Sequence, residues 1–121
     1  MRSLRVVAIL ALLLLPHSAS SATKPVKLEG MEYLKARRLI LSLGWKPSPG
    51  ECVGPDVDRS TCAIYPEVHH CTGVGKGLCD MKFVRRGRCL MLQTIGGAPQ
   101  RLPGDTEVQE VVFGRAPCPR A

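Results

Sequence analysis

All six cysteines of this 121-residue chain lie between positions 52 and 118, and the N-terminal segment that precedes them has none. A chain of this size buries a small apolar core, and small domains of exported proteins compensate with disulfides. The cysteine distribution therefore predicts one small domain that is held by three disulfides and folds in an oxidising compartment.

The first 22 residues have the three regions of a secretory signal peptide. Two arginines precede a run of ten apolar residues that ends at Pro16, and small residues follow. A transmembrane helix needs roughly 20 apolar residues, so this run is too short to be one. We predict cleavage after Ala22, with Ala19 or Ser20 as alternatives, and a periplasmic or secreted product.

The domain organisation is then a signal peptide at 1–22 and a single disulfide-rich domain at 23–121 with an irregular C-terminal tail. That domain keeps 15 of the 17 basic residues and all 10 acidic residues, for a net charge of +5. A cationic surface favours nucleic acid, anionic lipid or an acidic polymer as partner. One Trp, two Tyr and two Phe are too few for a base-stacking platform, so nucleic acid is disfavoured.

One segment has the periodicity of an amphipathic helix, from Glu32 to Leu43. Its apolar residues recur at spacings of three and four: Tyr33, Ala36, Leu39, Ile40 and Leu43. Gly44 stands where a left-handed residue ends a helix. The pattern predicts a helix that packs with one face on the rest of the domain, with Trp45 as a core anchor.

Two strand-like runs, Met81 to Val84 and Cys89 to Thr94, indicate a β-hairpin whose loop is Arg86-Gly87. In this register four apolar side chains share one face: Met81, Phe83, Leu90 and Leu92. The opposite face carries Lys82, Val84, Cys89 and Met91.

The remaining segments contain fewer signals. We expect a loop over 48–59, a short strand at Ala63 to Tyr65, a glycine-rich loop from His69 to Cys79, and a last strand from Val108 to Phe113. The predicted fold class is α+β, with one amphipathic helix packed on a three- to four-stranded, mainly antiparallel sheet and stapled by disulfides.

The stretch 26–31, followed by the helix and by Gly44-Trp45, resembles the opening of a PASTA domain, in which a short strand and a glycine lead into a helix. A wider set of motifs, from Gly30-Met31-Glu32-Tyr33 to Gly77-Leu78-Cys79, is similar to a group of small exported proteobacterial proteins whose function is not established. PASTA domains are cell-wall-binding modules, so this resemblance implies binding to the cell envelope.

Six cysteines allow 15 pairings, and the sequence leaves the choice open. Cys71 with Cys79 is the pairing we favour first, because glycines let the segment between them turn back before the hairpin. Cys89, on the hairpin face away from the apolar residues, is then suited to hold the tail. The resulting set is Cys71 with Cys79, Cys89 with Cys118, and Cys52 with Cys62.

Enzyme motifs are weak in this chain. His69, His70 and Cys71 are residue types that bind zinc, but the sequence has no second Cys-x-x-Cys or His-x-x-x-His motif that would supply the remaining ligands. The loop 73–77 lacks the P-loop spacing, and the closest cysteine pair is too far apart for a redox Cys-x-x-Cys motif. We expect no catalytic residue, no metal and no cofactor, and therefore a protein that is not an enzyme.

The strongest functional feature is a set of basic residues on and near the hairpin: Lys76, Lys82, Arg85, Arg86 and Arg88. They form either a solvated turn or an anion-binding patch. The function we expect is a non-enzymatic binding module of the cell envelope that contacts peptidoglycan, lipopolysaccharide or an acidic protein. The alternative is an inhibitor of a secreted hydrolase, acting through the Cys71–Cys79 loop.

Overall fold

A computed structural model describes residues 26–55, 57–73, 75–99, 104 and 106–119. The predicted signal peptide at 1–22 and its cleavage site lie outside these residues. The elements in chain order are α1 (Tyr33–Ser42), β1 (Lys46–Pro47), α2 (Arg59–Ile64), β2 (Val68–Cys71), β3 (Leu78–Arg85), β4 (Arg88–Ile95) and β5 (Glu107–Arg115).

The strands form one five-stranded sheet, and all the pairs between these strands are antiparallel. The order is β1-β3-β4-β5, and β2 shares the free edge of β3 with β1. The predicted α+β class, with three disulfides, is confirmed. The sheet has one strand more than the predicted upper number, because two short segments each pair with part of β3.

Helix α1 begins where the Glu32 carboxylate accepts hydrogen bonds of 2.9 Å from the backbone N–H groups of Leu34 and Lys35. Gly44 has φ +87° after the helix, the left-handed conformation that ends a helix without a Cβ clash. The buried side chains of α1 join those of β3, β4 and β5 in one core: Tyr33, Ala36, Ile40, Met81, Phe83, Leu90, Leu92 and Val108.

The β3–β4 hairpin has the predicted loop and register. Arg86 and Gly87 both have positive φ, 46° and 74°, as a two-residue type I′ loop requires. Phe83 pairs with Leu90, and the predicted apolar face is buried throughout. The predicted register of β3 and β4 is confirmed. It could be predicted because a two-residue loop fixes which residues of the two strands pair.

Two predictions between residues 59 and 79 are wrong. The segment Ala63 to Tyr65 is not a strand: helix α2 includes Ala63 and Ile64, and Asp58 caps the helix by accepting from the Thr61 N–H at 2.8 Å. The glycine-rich loop is also shorter than expected, because β2 continues to Cys71 and β3 already begins at Leu78. Both errors come from short windows whose conformation is set by contacts with distant residues.

Helix α1 covers only part of the sheet. Ten residues of helix span about 15 Å, whereas the eight residues of β4 span about 26 Å. The helix starts beside Thr106, whose carbonyl accepts from the Tyr33 N–H at 2.7 Å, and runs toward the hairpin turn. The sheet therefore extends beyond the helix C-terminus at the end that carries the turn.

Candidate anion-binding site

The disulfides fix the ends of the strands that position this site. The structure joins Cys52 to Cys62, Cys71 to Cys79 and Cys89 to Cys118, the set favoured by the sequence. The Cys89–Cys118 bridge folds the C-terminal tail over the face of the hairpin opposite the core. Three disulfides are typical of proteins that fold outside the reducing cytosol.

Three arginines from three neighbouring strands stand side by side at the turn end of the sheet. Arg85 on β3 pairs directly with Arg88 on β4, and Arg88 pairs directly with Arg115 on β5. Residues that face each other across antiparallel strands have their Cα atoms about 4.5–5.5 Å apart. The three side chains therefore form a row on the face of the sheet that also carries Phe83 and Leu90.

Two more cations lie at the same end of the sheet. Arg86 is exposed in the turn, and Lys46 is exposed on β1, where its pairing with Val84 places it on the face opposite the row. We call the five residues together the basic end: Lys46, Arg85, Arg86, Arg88 and Arg115. A shallow cleft of about 470 Å³, lined in part by Lys46, Arg85 and Arg86, opens at its edge.

The basic end has no carboxylate partner in the part of the chain that the structure describes, where the salt bridge present joins Arg37 to Glu67. Like charges directly opposite each other across strands destabilise a sheet. The nearby C-terminus of α1 offsets part of this repulsion, because the negative end of the helix dipole favours cations. The rest of the repulsion would be relieved by a bound anion.

Aromatic rings lie next to the arginine row. The Phe113 ring is centred 6.1 Å from the Trp45 ring, and the Arg88 guanidinium carbon lies 5.8 Å from the centre of Phe113. Phe113 shares the face of Leu90, its cross-strand partner, but is 56% exposed, and it lies on β5, the edge strand of the sheet. Trp45 packs partly against the core, as expected of an anchor, and partly against Phe113.

The structure separates two predicted residues from this site. Lys82 is 5% exposed, and its Nζ donates a hydrogen bond to the Pro119 carbonyl of the tail. Lys76 is exposed in the loop between β2 and β3, at the opposite end of the hairpin, where its carbonyl accepts from the Gly96 N–H. Neither side chain joins Arg85, Arg86 and Arg88 at the turn.

The histidine pair is not arranged as a metal site. His69 is buried, and its Nε2 donates a hydrogen bond of 2.7 Å to the Ser48 carbonyl. Cys71, bonded to Cys79, offers no free thiolate. Both histidines line a cleft of about 490 Å³, and no group of three His, Cys, Asp or Glu side chains among the described residues is placed to hold a metal ion.

The Cys71–Cys79 segment is a tight turn held against the sheet. Cys71 pairs directly with Cys79 across β2 and β3, and Thr72 exchanges hydrogen bonds with the backbone of Leu78. The Gly77 carbonyl accepts from the N–H groups of Gly96 and Gly97 at 3.0 and 3.1 Å. Hydrogen bonds thus join the two ends of this turn to each other, and they join Gly77 to Gly96 and Gly97 at the end of β4.

Sequence reasoning missed Lys46, Arg115 and Phe113 as members of the site. The position of Arg115 could have been predicted from the sequence. If β5 pairs with β4 and continues two residues beyond Phe113, Arg115 lies opposite Arg88. Lys46 follows Trp45 directly, but its position depends on β1 pairing with the distant β3.

Comparison with protein-family models, with curated proteins and with solved structures finds no match. The resemblance to a PASTA opening and to exported proteobacterial proteins therefore stays a prediction. Within the described residues, no helix has the length and apolar character needed to cross a membrane.

Proposed function

We propose that this chain is an exported, non-enzymatic binding module that holds an anionic component of the cell envelope at its basic end. The observation that carries the proposal is the row of Arg85, Arg88 and Arg115, directly opposite one another on three strands. Such a row repels itself when empty and binds phosphate or carboxylate groups strongly, because guanidinium groups donate paired hydrogen bonds to both.

The location in the proposal is periplasmic or extracellular, after cleavage of the signal peptide at 1–22. The three disulfides support an oxidising compartment. Lipopolysaccharide and peptidoglycan are the anionic envelope components that such a protein meets there, and the basic end is exposed to either.

The test is binding of the mature protein to purified peptidoglycan sacculi and to lipopolysaccharide over a series of salt concentrations. We expect retention at low salt that falls steeply as salt rises, because exposed charges are screened within about 8 Å at physiological ionic strength. Retention that does not change with salt, or no retention on either material, would contradict the proposal. The hydrolase-inhibitor hypothesis would then take its place.

A further inference from the structure

The apolar side chains at the basic end are exposed to an extent that the core does not explain. Phe113 is 56% exposed and Leu43, at the C-terminus of α1, is 48% exposed. Trp45 is half-buried, and its ring centre lies 6.1 Å from that of Phe113. Exposed large apolar groups that cluster beside unpaired cations mark an interaction surface rather than ordinary exposed residues.

The three arginines of the row and Phe113 belong to one surface. Arg88 lies over the Phe113 ring at 5.8 Å, and Arg115 is two residues after Phe113 on the same face of β5. Gly44 brings the end of α1 close to Arg85, since a Cβ at Gly44 would lie 3.6 Å from the Arg85 Nε. Phe113 thus lies next to Arg88, and the residues after α1 lie next to Arg85.

We infer that the ligand of the basic end is the surface of an anionic lipid layer, in which phosphate groups give the surface a net negative charge. The arginines contact the phosphates, and Phe113, Leu43 and Trp45 enter the boundary between headgroups and acyl chains. This inference rests on the proposed function and names the class of its ligand.

The chemistry favours a lipid over a water-soluble polyanion. A soluble polyanion neutralises the arginines but leaves about half of the Phe113 surface in water. An anionic lipid layer accepts both groups, because its negative surface potential attracts cations and apolar side chains are buried at the same contact. Aromatic rings beside charged groups are also typical of residues that lie at the membrane interface.

Trp45 reports this contact directly, because it is the one tryptophan of the chain. The experiment mixes the mature, oxidised protein with three probes: vesicles of phosphatidylglycerol and phosphatidylethanolamine, vesicles of phosphatidylcholine, and long-chain polyphosphate. Trp45 emission and co-sedimentation are measured for each. We expect binding and a shift of emission to shorter wavelength with the phosphatidylglycerol vesicles, and binding without that shift for polyphosphate.

The discriminating variant is Phe113→Ser, with Val112→Ser as its matched control. Val112 is the preceding residue of β5, 41% exposed, and lies on the opposite face in register with Met91. We expect Phe113→Ser to weaken vesicle binding about tenfold, since it removes the burial of a half-exposed aromatic side chain, and to leave polyphosphate binding unchanged. Val112→Ser should bind vesicles as the wild type does, and thermal unfolding of both variants shows that they are folded.

The outcomes separate this inference from the proposed function. Binding to polyphosphate without binding to the phosphatidylglycerol vesicles overturns the inference, and the proposed function stands. Vesicle binding that Phe113→Ser and Val112→Ser affect equally also overturns the inference. Equal binding to phosphatidylcholine overturns both, because charge then has no role. Binding to none of the probes overturns the inference, and retention on sacculi and lipopolysaccharide then decides the proposed function.

Discussion

The Tyr33 hydroxyl donates a hydrogen bond of 2.6 Å to the Glu67 carboxylate, and both side chains are fully buried. Tyr33 begins α1, whereas Glu67 directly precedes β2, 34 residues later. The Arg37 Nε donates to the same carboxylate oxygen at 2.5 Å, and its guanidinium lies 5.2 Å from the centre of the Tyr65 ring. A buried carboxylate with two donors thus ties the helix to the sheet.

The change Tyr33→Phe removes this hydrogen bond and tests its contribution to stability. Hydrogen bonds to charged groups contribute about 1.5–3 kcal/mol, so we expect the free energy of unfolding to fall by about 2 kcal/mol at neutral pH. Denaturant unfolding with disulfides intact measures it. The matched control is Tyr65→Phe, which keeps the ring against Arg37, and an equal loss in both variants would contradict this account.

The same pair predicts a dependence on alkaline pH. Burial, and then the negative charge of Glu67, raise the pKa of Tyr33 well above its usual value near 10. The stability from the neutral phenol is therefore present in full below about pH 10 and is lost as pH rises above it. Wild-type protein should lose stability above pH 10 more steeply than Tyr33→Phe, and equal slopes would contradict the prediction.

The buried His69 predicts that the free energy of unfolding falls as the pH becomes acidic. Burial lowers the pKa of His69 below its usual value near 6.5, although the hydrogen bond to the Ser48 carbonyl opposes this. Stability from the neutral ring is present above about pH 6.5 and declines as pH falls.

We expect His69→Gln to lose less stability between pH 7 and pH 5 than the wild type does. Denaturant unfolding at several pH values within this range measures the slopes. A His69→Gln protein that keeps the wild-type slope would show that the His69 proton has no part in stability.

The disulfide pairs are open to direct mapping. Trypsin together with a glutamate-specific protease places each cysteine on its own peptide: 52–59, 60–67, 68–76, 77–82, 89–101 and 116–120. Without reduction, we expect 52–59 linked to 60–67, 68–76 linked to 77–82, and 89–101 linked to 116–120. A link from 68–76 to either of the first two peptides would contradict the structure.

What the sequence could predict was mainly local. The hairpin register follows from a two-residue loop, and it places Cys89 on the face where the tail residue Cys118 reaches it. The short helix α2 and strand β2 were not predicted, because six and four residues are too few to show a clear hydrophobic periodicity. Their conformations depend on distant partners such as the Cys52–Cys62 bridge and the pairing of β2 with β3.

The candidate site was predicted in part for the same reason. Arg85, Arg86 and Arg88 are neighbours in sequence and stay together in the fold. Lys82 is only three residues from Arg85, but strand alternation turns it to the other face, where it meets the tail. Arg115 comes into the site through the pairing of β4 with β5.

The central claim is that the basic end binds the anionic ligand. The variant Arg85→Gln, Arg86→Gln, Arg88→Gln tests it against a control with the same loss of charge, Lys27→Gln, Lys35→Gln, Lys76→Gln. The control residues are all exposed and belong to the opposite end of the domain. Thermal unfolding of both variants should stay near that of the wild type, because exposed substitutions usually change stability by no more than about 0.5 kcal/mol and only Arg85 among the six residues is half-buried.

The most direct measurement is the dissociation constant of each variant for lipopolysaccharide at one fixed salt concentration. Three cations at about 1 kcal/mol each predict that the arginine variant binds about 100-fold more weakly than the wild type. The lysine control should bind within a few-fold of the wild type, since it changes net charge alone. Equal weakening in the two variants would contradict the account, because binding would then follow net charge and not the basic end.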